Sequence, residues 1–194
     1  MNPYLPEIEE FERQDRMVLP PAGAVLFLGS STIRQWHTLA QDFPSVAVIN
    51  RGFGGSQIQD SIFFADRIVI PHRPRLIVFY AGDNDLASGM TPAQVFADFK
   101  RLIERVRQDL PETVVVFVSI KPSPARLHLL DGIRAANLSI RNWIRQDRRL
   151  GYADVFEPML APDGSVRGEL FVEDGLHLNQ QGYAVWKRAV APFL

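Results

Sequence analysis

Val25-Leu26-Phe27-Leu28-Gly29-Ser30-Ser31-Thr32-Ile33-Arg34-Gln35-Trp36 passes from an apolar run of strand length into Gly29 and three hydroxyl residues. Beyond it Ile33, Trp36, Leu39 and Ala40 recur at helical spacing. The stretch therefore reads as strand, tight turn and helix. In a parallel α/β sheet such a turn lies at the carboxyl end of its strand, where ligands bind and where the new helix presents unpaired N–H groups. A serine placed there is exposed and faces groups suited to stabilising negative charge. The same hydroxyls also suit plain capping of the helix, so this stretch alone leaves both readings open.

The flanking sequence supplies the rest of a sheet. Upstream, Leu5, Ile8 and Phe11 at helical spacing, with Pro6 in the first turn, predict a short helix within an N-terminal extension, residues 1–22, packed on the body. Downstream, Val46-Ala47-Val48-Ile49-Asn50 is a second β-branched run, emptying into Arg51-Gly52-Phe53-Gly54-Gly55-Ser56. A helix is expected over 57–69, then a fully apolar strand, Leu76-Ile77-Val78-Phe79-Tyr80, that ends in Ala81-Gly82-Asp83-Asn84-Asp85. Thr91-Pro92-Ala93-Gln94 has the form of a capping box, and Val95, Phe99, Leu102, Ile103 and Val106 give the following helix one apolar face. Val114-Val115-Val116-Phe117-Val118 is another buried strand, leading into Ile120-Lys121-Pro122-Ser123-Pro124. A helix over 127–150 with Gly151 beyond it, a last short strand at 154–156, a turn-rich loop and a final helix capped by Asn179 complete the chain. Strands alternating with helices in this way imply a doubly wound parallel sheet with helices on both faces.

At 194 residues the chain suits a single domain. Its 21 basic and 22 acidic residues nearly cancel, and no long cationic run points to nucleic acid or to an anionic membrane surface. With no cysteine, thiolate nucleophiles, thiolate metal sites and disulfides are excluded. The N-terminal stretch lacks the basic and apolar regions of a secretory signal, and no apolar run reaches membrane-spanning length. A cytoplasmic location is the expectation. Oligomeric state is left open, a homo-oligomer included.

Turns that follow strands converge on one crevice, here those at Ser31, Gly55, Asn84 and the loop approaching His177. Acyl transfer needs a nucleophile, a base, a group to orient the base, and donors for the oxyanion. The sequence offers Ser31, His177, Asp174, and the backbone N–H groups of Ser31 and Gly55 with the Asn84 amide, in that order. His37, His72 and His128 lack a comparable setting and read as surface or packing residues. Taken singly, Gly55 suits a turn and Asn84 a cap.

With all four blocks in view the chain resembles the SGNH hydrolases, also called the GDSL esterase and lipase family. Gly29-Ser30-Ser31 matches the serine block, Asn50 to Gly55 the glycine block, Gly82-Asp83-Asn84-Asp85 the Gly-x-Asn-Asp block, and Asp174 to His177 the Asp-x-x-His block. The resemblance runs in order from Leu26 onward and looks closest to cytosolic acetylhydrolase-like members. It implies a three-layer α/β/α sandwich, flavodoxin-like, with a five-stranded parallel sheet, hydrolysing a small-molecule ester without a cofactor or metal. Ser30 departs from the pattern, because the family usually has Asp there; this puts two serines side by side and alters the hydrogen bonding of the turn.

Ser30, Arg51 and Lys121, with Arg126 beside them, lie in or near loops expected at the crevice and are candidates for contacting an oxygen-rich or anionic substrate. Solvated rim charges or structural ion pairs are the plainer account of them. Two competing functions stay in view. One is a metal-dependent hydrolase with Asp83, Asp85, Asp174 and His177 as ligands; the other is a non-catalytic module that holds a phosphate or nucleotide at the Gly-Ser-Ser-Thr turn.

Overall fold

Successive side chains of a strand face opposite sides of a sheet, and in this chain both sides are apolar. The computed structural model describes residues 2–194. Its elements run α1 (Leu5–Met17), β1 (Val25–Gly29), α2 (Ser31–Arg34), α3 (Leu39–Asp42), β2 (Val48–Gly52), α4 (Ile58–Ile68), β3 (Leu76–Tyr80), α5 (Asp83–Ala87), α6 (Pro92–Asp109), β4 (Val114–Val118), α7 (Leu130–Ile144), β5 (Leu150–Ala153) and α8 (Gln180–Val190), with short 3₁₀ turns between several of them. The five strands form one parallel sheet in the order β2-β1-β3-β4-β5. Leu26, Leu28, Ile77, Phe79, Val115 and Phe117 meet α1, α4, α6 and α7 on one face. Phe27, Val78, Tyr80, Val116 and Val118 meet Trp36, Leu39 and α8 on the other. The result is the α/β/α sandwich that the alternating pattern implied.

The second face is built around Trp36, whose ring lies edge-on to Phe27 at 5.7 Å and to Trp186 at 6.1 Å and stacks on Tyr183 at 5.3 Å. Burying one such side chain contributes on the order of 2–3 kcal/mol, and aromatic geometry adds to it. The Thr91 capping box forms as its sequence predicts, with the Gln94 N–H donating to the Thr91 hydroxyl and the Gln94 side chain accepting from the Thr91 N–H. No helix among the described residues is long and apolar enough to cross a membrane.

Four expectations need correction. The helix expected through Ile33, Trp36, Leu39 and Ala40 is two single turns, α2 and α3. The chain breaks between them so that the Trp36 indole N–H and the Thr38 hydroxyl can both donate to Asp42 Oδ2, at 2.8 and 2.6 Å; burial of Trp36 overrides helix continuity. The second strand runs to Gly52 rather than stopping at Asn50, because its ladder with β1 continues to the Gly29–Gly52 pair. The helix expected over 127–150 occupies only Leu130–Ile144, and the strand expected at 154–156 lies instead at Leu150–Ala153. Gly151 is therefore no helix stop. It sits inside β5, where a Cβ would come within 2.9 Å of the Phe193 ring.

Candidate active site

In strand order 2-1-3-4-5 the connections leave β1 and β3 in opposite directions, which makes their carboxyl ends the switch point where open α/β sheets bind ligands. Ser31 follows β1 and Asn84 follows β3, so the topology alone brings these two turns together. Ser30 has extended cap geometry. Its N–H donates to the Tyr80 carbonyl at 3.1 Å, and its own carbonyl accepts from the N–H groups of Ile33 and Arg34. Its side chain is buried, with 1% of the residue exposed, and its hydroxyl has no partner. Ser31 is the first residue of α2 and half-buried. Two bonds from neighbouring elements pin this single turn: Asn50 Nδ2 donates to the Ile33 carbonyl at 2.8 Å, and the Tyr183 hydroxyl of α8 donates to the Thr32 carbonyl at 2.9 Å.

His177 reaches Ser31 from the loop before α8. Its Nε2 is 2.9 Å from Ser31 Oγ, and its Nδ1 is 2.6 Å from Asp174 Oδ2. The other Asp174 oxygen accepts from the N–H groups of Leu176 and His177 at 2.8 and 2.9 Å. Desolvation works against the Asp174 charge, yet these bonds, led by that from the His177 ring, outweigh it and hold the carboxyl down at about 2. The loop is anchored by Asn179, which caps α8 by accepting from the Gln181 and Gly182 N–H groups and donates to the carbonyls of Glu169 and Phe171.

Gly55 and Asn84 meet through Ser56, whose carbonyl accepts from Asn84 Nδ2 at 3.1 Å. Gly55 has φ of 68° with open space around its Cα, so its backbone angle, and not crowding, requires glycine. Arg126 Nη2 donates to Asn84 Oδ1 at 2.8 Å, which fixes which end of the carboxamide is the donor. Arg126 also lies 3.1 Å from Asp83, whose carboxylate is buried with Lys121 at 2.9 Å. Burial would raise the Asp83 carboxyl, but these two cations keep it below its ordinary range.

Of the residues singled out in the sequence, Ser31, Asp174 and His177 form one hydrogen-bonded chain, and Gly55 and Asn84 a second unit joined at Ser56. Three candidates for substrate contact are buried. Ser30 is turned inward, Lys121 is buried on Asp83 and the Tyr80 hydroxyl, and Arg51 is ion-paired with Asp15 of α1 and lies over the Phe11 ring. The four proposed metal ligands do not assemble. Asp83 is held by cations, Asp85 accepts from the Ile58 N–H, and among the described residues no three acidic or histidine side chains gather to hold a metal ion. Sequence reasoning missed Tyr4 and Glu7, which reach the glycine loop from α1; nothing local marks them, since the contact spans about fifty residues of chain.

A parallel sheet of this order thus carries a hydrogen-bonded serine, histidine and carboxylate beside its switch point. The sequence model of the GDSL-like lipase/acylhydrolase family matches residues 26–185, and the chain belongs to that family. It is thereby an enzyme, a carboxylic-ester hydrolase. Among solved structures it is similar to a GDSL-like lipase from Bacteroides thetaiotaomicron (20% identity, 96% of each chain covered, TM-score 0.81). A lipase/acylhydrolase from Enterococcus faecalis (18%, 87% of this chain and 93% of that one, TM-score 0.73) and a carbohydrate esterase family 3 protein from Talaromyces cellulolyticus (20%, 87% and 94%, TM-score 0.71) share the fold. No protein of curated function matches the sequence.

Proposed function

We propose that this enzyme hydrolyses a small acyl ester through an acyl-enzyme on Ser31. The observation that carries the reading is the unbroken chain Ser31 Oγ, His177 Nε2, His177 Nδ1, Asp174 Oδ2, with separations of 2.9 and 2.6 Å. In this reading His177 takes the Ser31 proton as Oγ bonds to the ester carbonyl carbon, and Asp174 keeps Nδ1 protonated so that Nε2 is the acceptor. The carbonyl oxygen becomes the oxyanion and receives hydrogen bonds from the Ser31 and Gly55 N–H groups and Asn84 Nδ2. His177 returns its proton to the leaving alkoxide. Water then attacks the acyl carbon, its proton passing to His177 and on to Ser31 Oγ as the acid departs.

Two features support the choice over the alternatives. A metal hydrolase needs a ligand set, and Asp83 and Asp85 are spoken for by Lys121, Arg126 and the Ile58 N–H. A phosphate-holding turn leaves the His177–Asp174 pair without a role. The carbohydrate esterase among the structural neighbours makes a sugar ester one substrate to try first. Hydrolysis of a short-chain aryl ester should survive EDTA and vanish in Ser31→Ala; loss of activity in EDTA with recovery on adding a divalent ion would overturn the proposal.

A further inference from the structure

Gly55 is asked to present one N–H in one direction, yet it follows another glycine, and a peptide between two glycines rotates at little cost. Something must hold it. Inside the molecule the loop is tied at its ends, where the Phe53 N–H donates to the Gly29 carbonyl at 3.0 Å and the Ser56 hydroxyl donates to the Phe53 carbonyl at 3.1 Å. From outside it is gripped by α1. The Gly54 N–H donates to Glu7 Oε1 at 3.1 Å, and the Tyr4 hydroxyl donates to the Gly55 carbonyl at 3.3 Å.

These two bonds fall on particular peptide units. Gly54 N–H belongs to the peptide joining 53 and 54, and Gly55 C=O to the peptide joining 55 and 56. The unit between them carries the Gly55 N–H. Glu7 and Tyr4 thus fix the peptides on either side of it and leave the middle N–H unengaged. Glu7 is itself held by Arg34 at 3.1 Å, whose guanidinium lies against Gly54 so closely that a Cβ there would stand 2.7 Å from Nη1. The Tyr4 ring sits edge-on to Phe53 at 5.4 Å. The far end of α1 is moored by the Asp15–Arg51 pair and by Glu12 on Arg67 at 2.6 Å, which gives the buried Arg51 a purpose away from substrate.

We infer that α1 is the positioning element of the oxyanion site, with Glu7 and Tyr4 as positioning residues that act through the Gly54-Gly55 backbone. The inference rests on the proposed acyl-transfer reading and extends it to a segment outside the 26–185 match. A helix that merely covered the core through Ile8 would confer stability and leave turnover alone.

The test compares Glu7→Ala, Glu7→Gln, Tyr4→Phe and Ser31→Ala in the full chain, using a short-chain aryl ester and phenylboronic acid, whose tetrahedral serine adduct places an oxygen in the oxyanion site. Glu7→Ala is expected to lower kcat about 10-fold with KM within about two-fold, the scale of a misaligned donor. Boronate affinity should fall in the same proportion, and Glu7→Gln, which keeps an acceptor for the Gly54 N–H, should restore most of both. Tyr4→Phe should lower kcat a few-fold, and it carries the test by itself if Glu7→Ala does not fold. Unchanged kcat and boronate affinity, or a change confined to Tm or KM, would overturn the inference. Ser31→Ala separates the two levels: an active Ser31→Ala enzyme refutes the reading of the site, whereas an inactive one beside a fully active Glu7→Ala refutes only the role of α1.

Discussion

Ser30 and Ser31 are adjacent and chemically identical, and the structure gives them opposite surroundings. Ser31 Oγ meets an imidazole nitrogen, while Ser30 Oγ is buried without any partner. Removing an unsatisfied buried hydroxyl costs little and can stabilise. Ser30→Ala should therefore keep activity within about three-fold and leave Tm unchanged or raised, whereas Ser31→Ala should fold normally with turnover near background; thermal melts and ester kinetics on the pair decide this. In the proposed mechanism Asn84 supplies a side-chain donor, and Arg126 holds its carboxamide in orientation. Asn84→Ala should lower kcat by roughly 10²–10³, measured at saturating substrate. Lys121, by contrast, belongs to stability. Lys121→Met strips a cation from the buried Asp83 and should cost about 3 kcal/mol or more of folding free energy, visible in denaturant unfolding.

At the scale of elements, most of the architecture was legible because strand runs such as Leu76–Tyr80 are apolar on both faces and the 92–109 helix announces itself with a capping box and a clean apolar stripe. What was not legible was tertiary. Gly151 looks like a helix terminator in sequence, yet it is glycine because Phe193, over forty residues later, packs on it. The broken helix after Ser31 follows from Trp36 and Asp42 bonding across a turn. The hydrogen-bonded Ser31, His177 and Asp174 could be singled out from short sequence blocks, but Glu7 and Tyr4 could not, since no local pattern says which loop α1 will touch. The α5 and α4 elements carry a pH prediction of their own. Asp85 joins them by accepting from the Ile58 N–H at 3.0 Å, and burial, only partly offset by that bond, pushes its carboxyl up to about 6. Because the native group binds its proton more tightly than the unfolded one, its contribution to stability is full below the ordinary carboxylate range and is lost as pH rises through about 6. Asp85→Asn should thus gain Tm over the parent at pH 8 and gain nothing at pH 4; an equal difference at both would show that the Asp85 charge is not the cause.

For the whole molecule, one topological fact organises the chemistry. The sheet order places β1 and β3 side by side with their connections diverging, so the serine turn and the Asn84 turn lie at the same switch point, and the loop leading into α8 delivers His177 while α8 braces Thr32 through Tyr183. Core packing on both faces holds the strands, and hydrogen bonds from Asn50 and Tyr183 hold the serine turn, which matters because the proposed chemistry depends on groups already in position before substrate arrives. The central claim is that Ser31 Oγ is the attacking atom, activated by His177. Its most direct test is labelling with a fluorophosphonate, followed by intact mass and peptide mapping. One equivalent should attach at Ser31, with labelling abolished in Ser31→Ala and strongly slowed in His177→Ala. An adduct mapped to Ser30, or an active esterase that takes up no label, would contradict it.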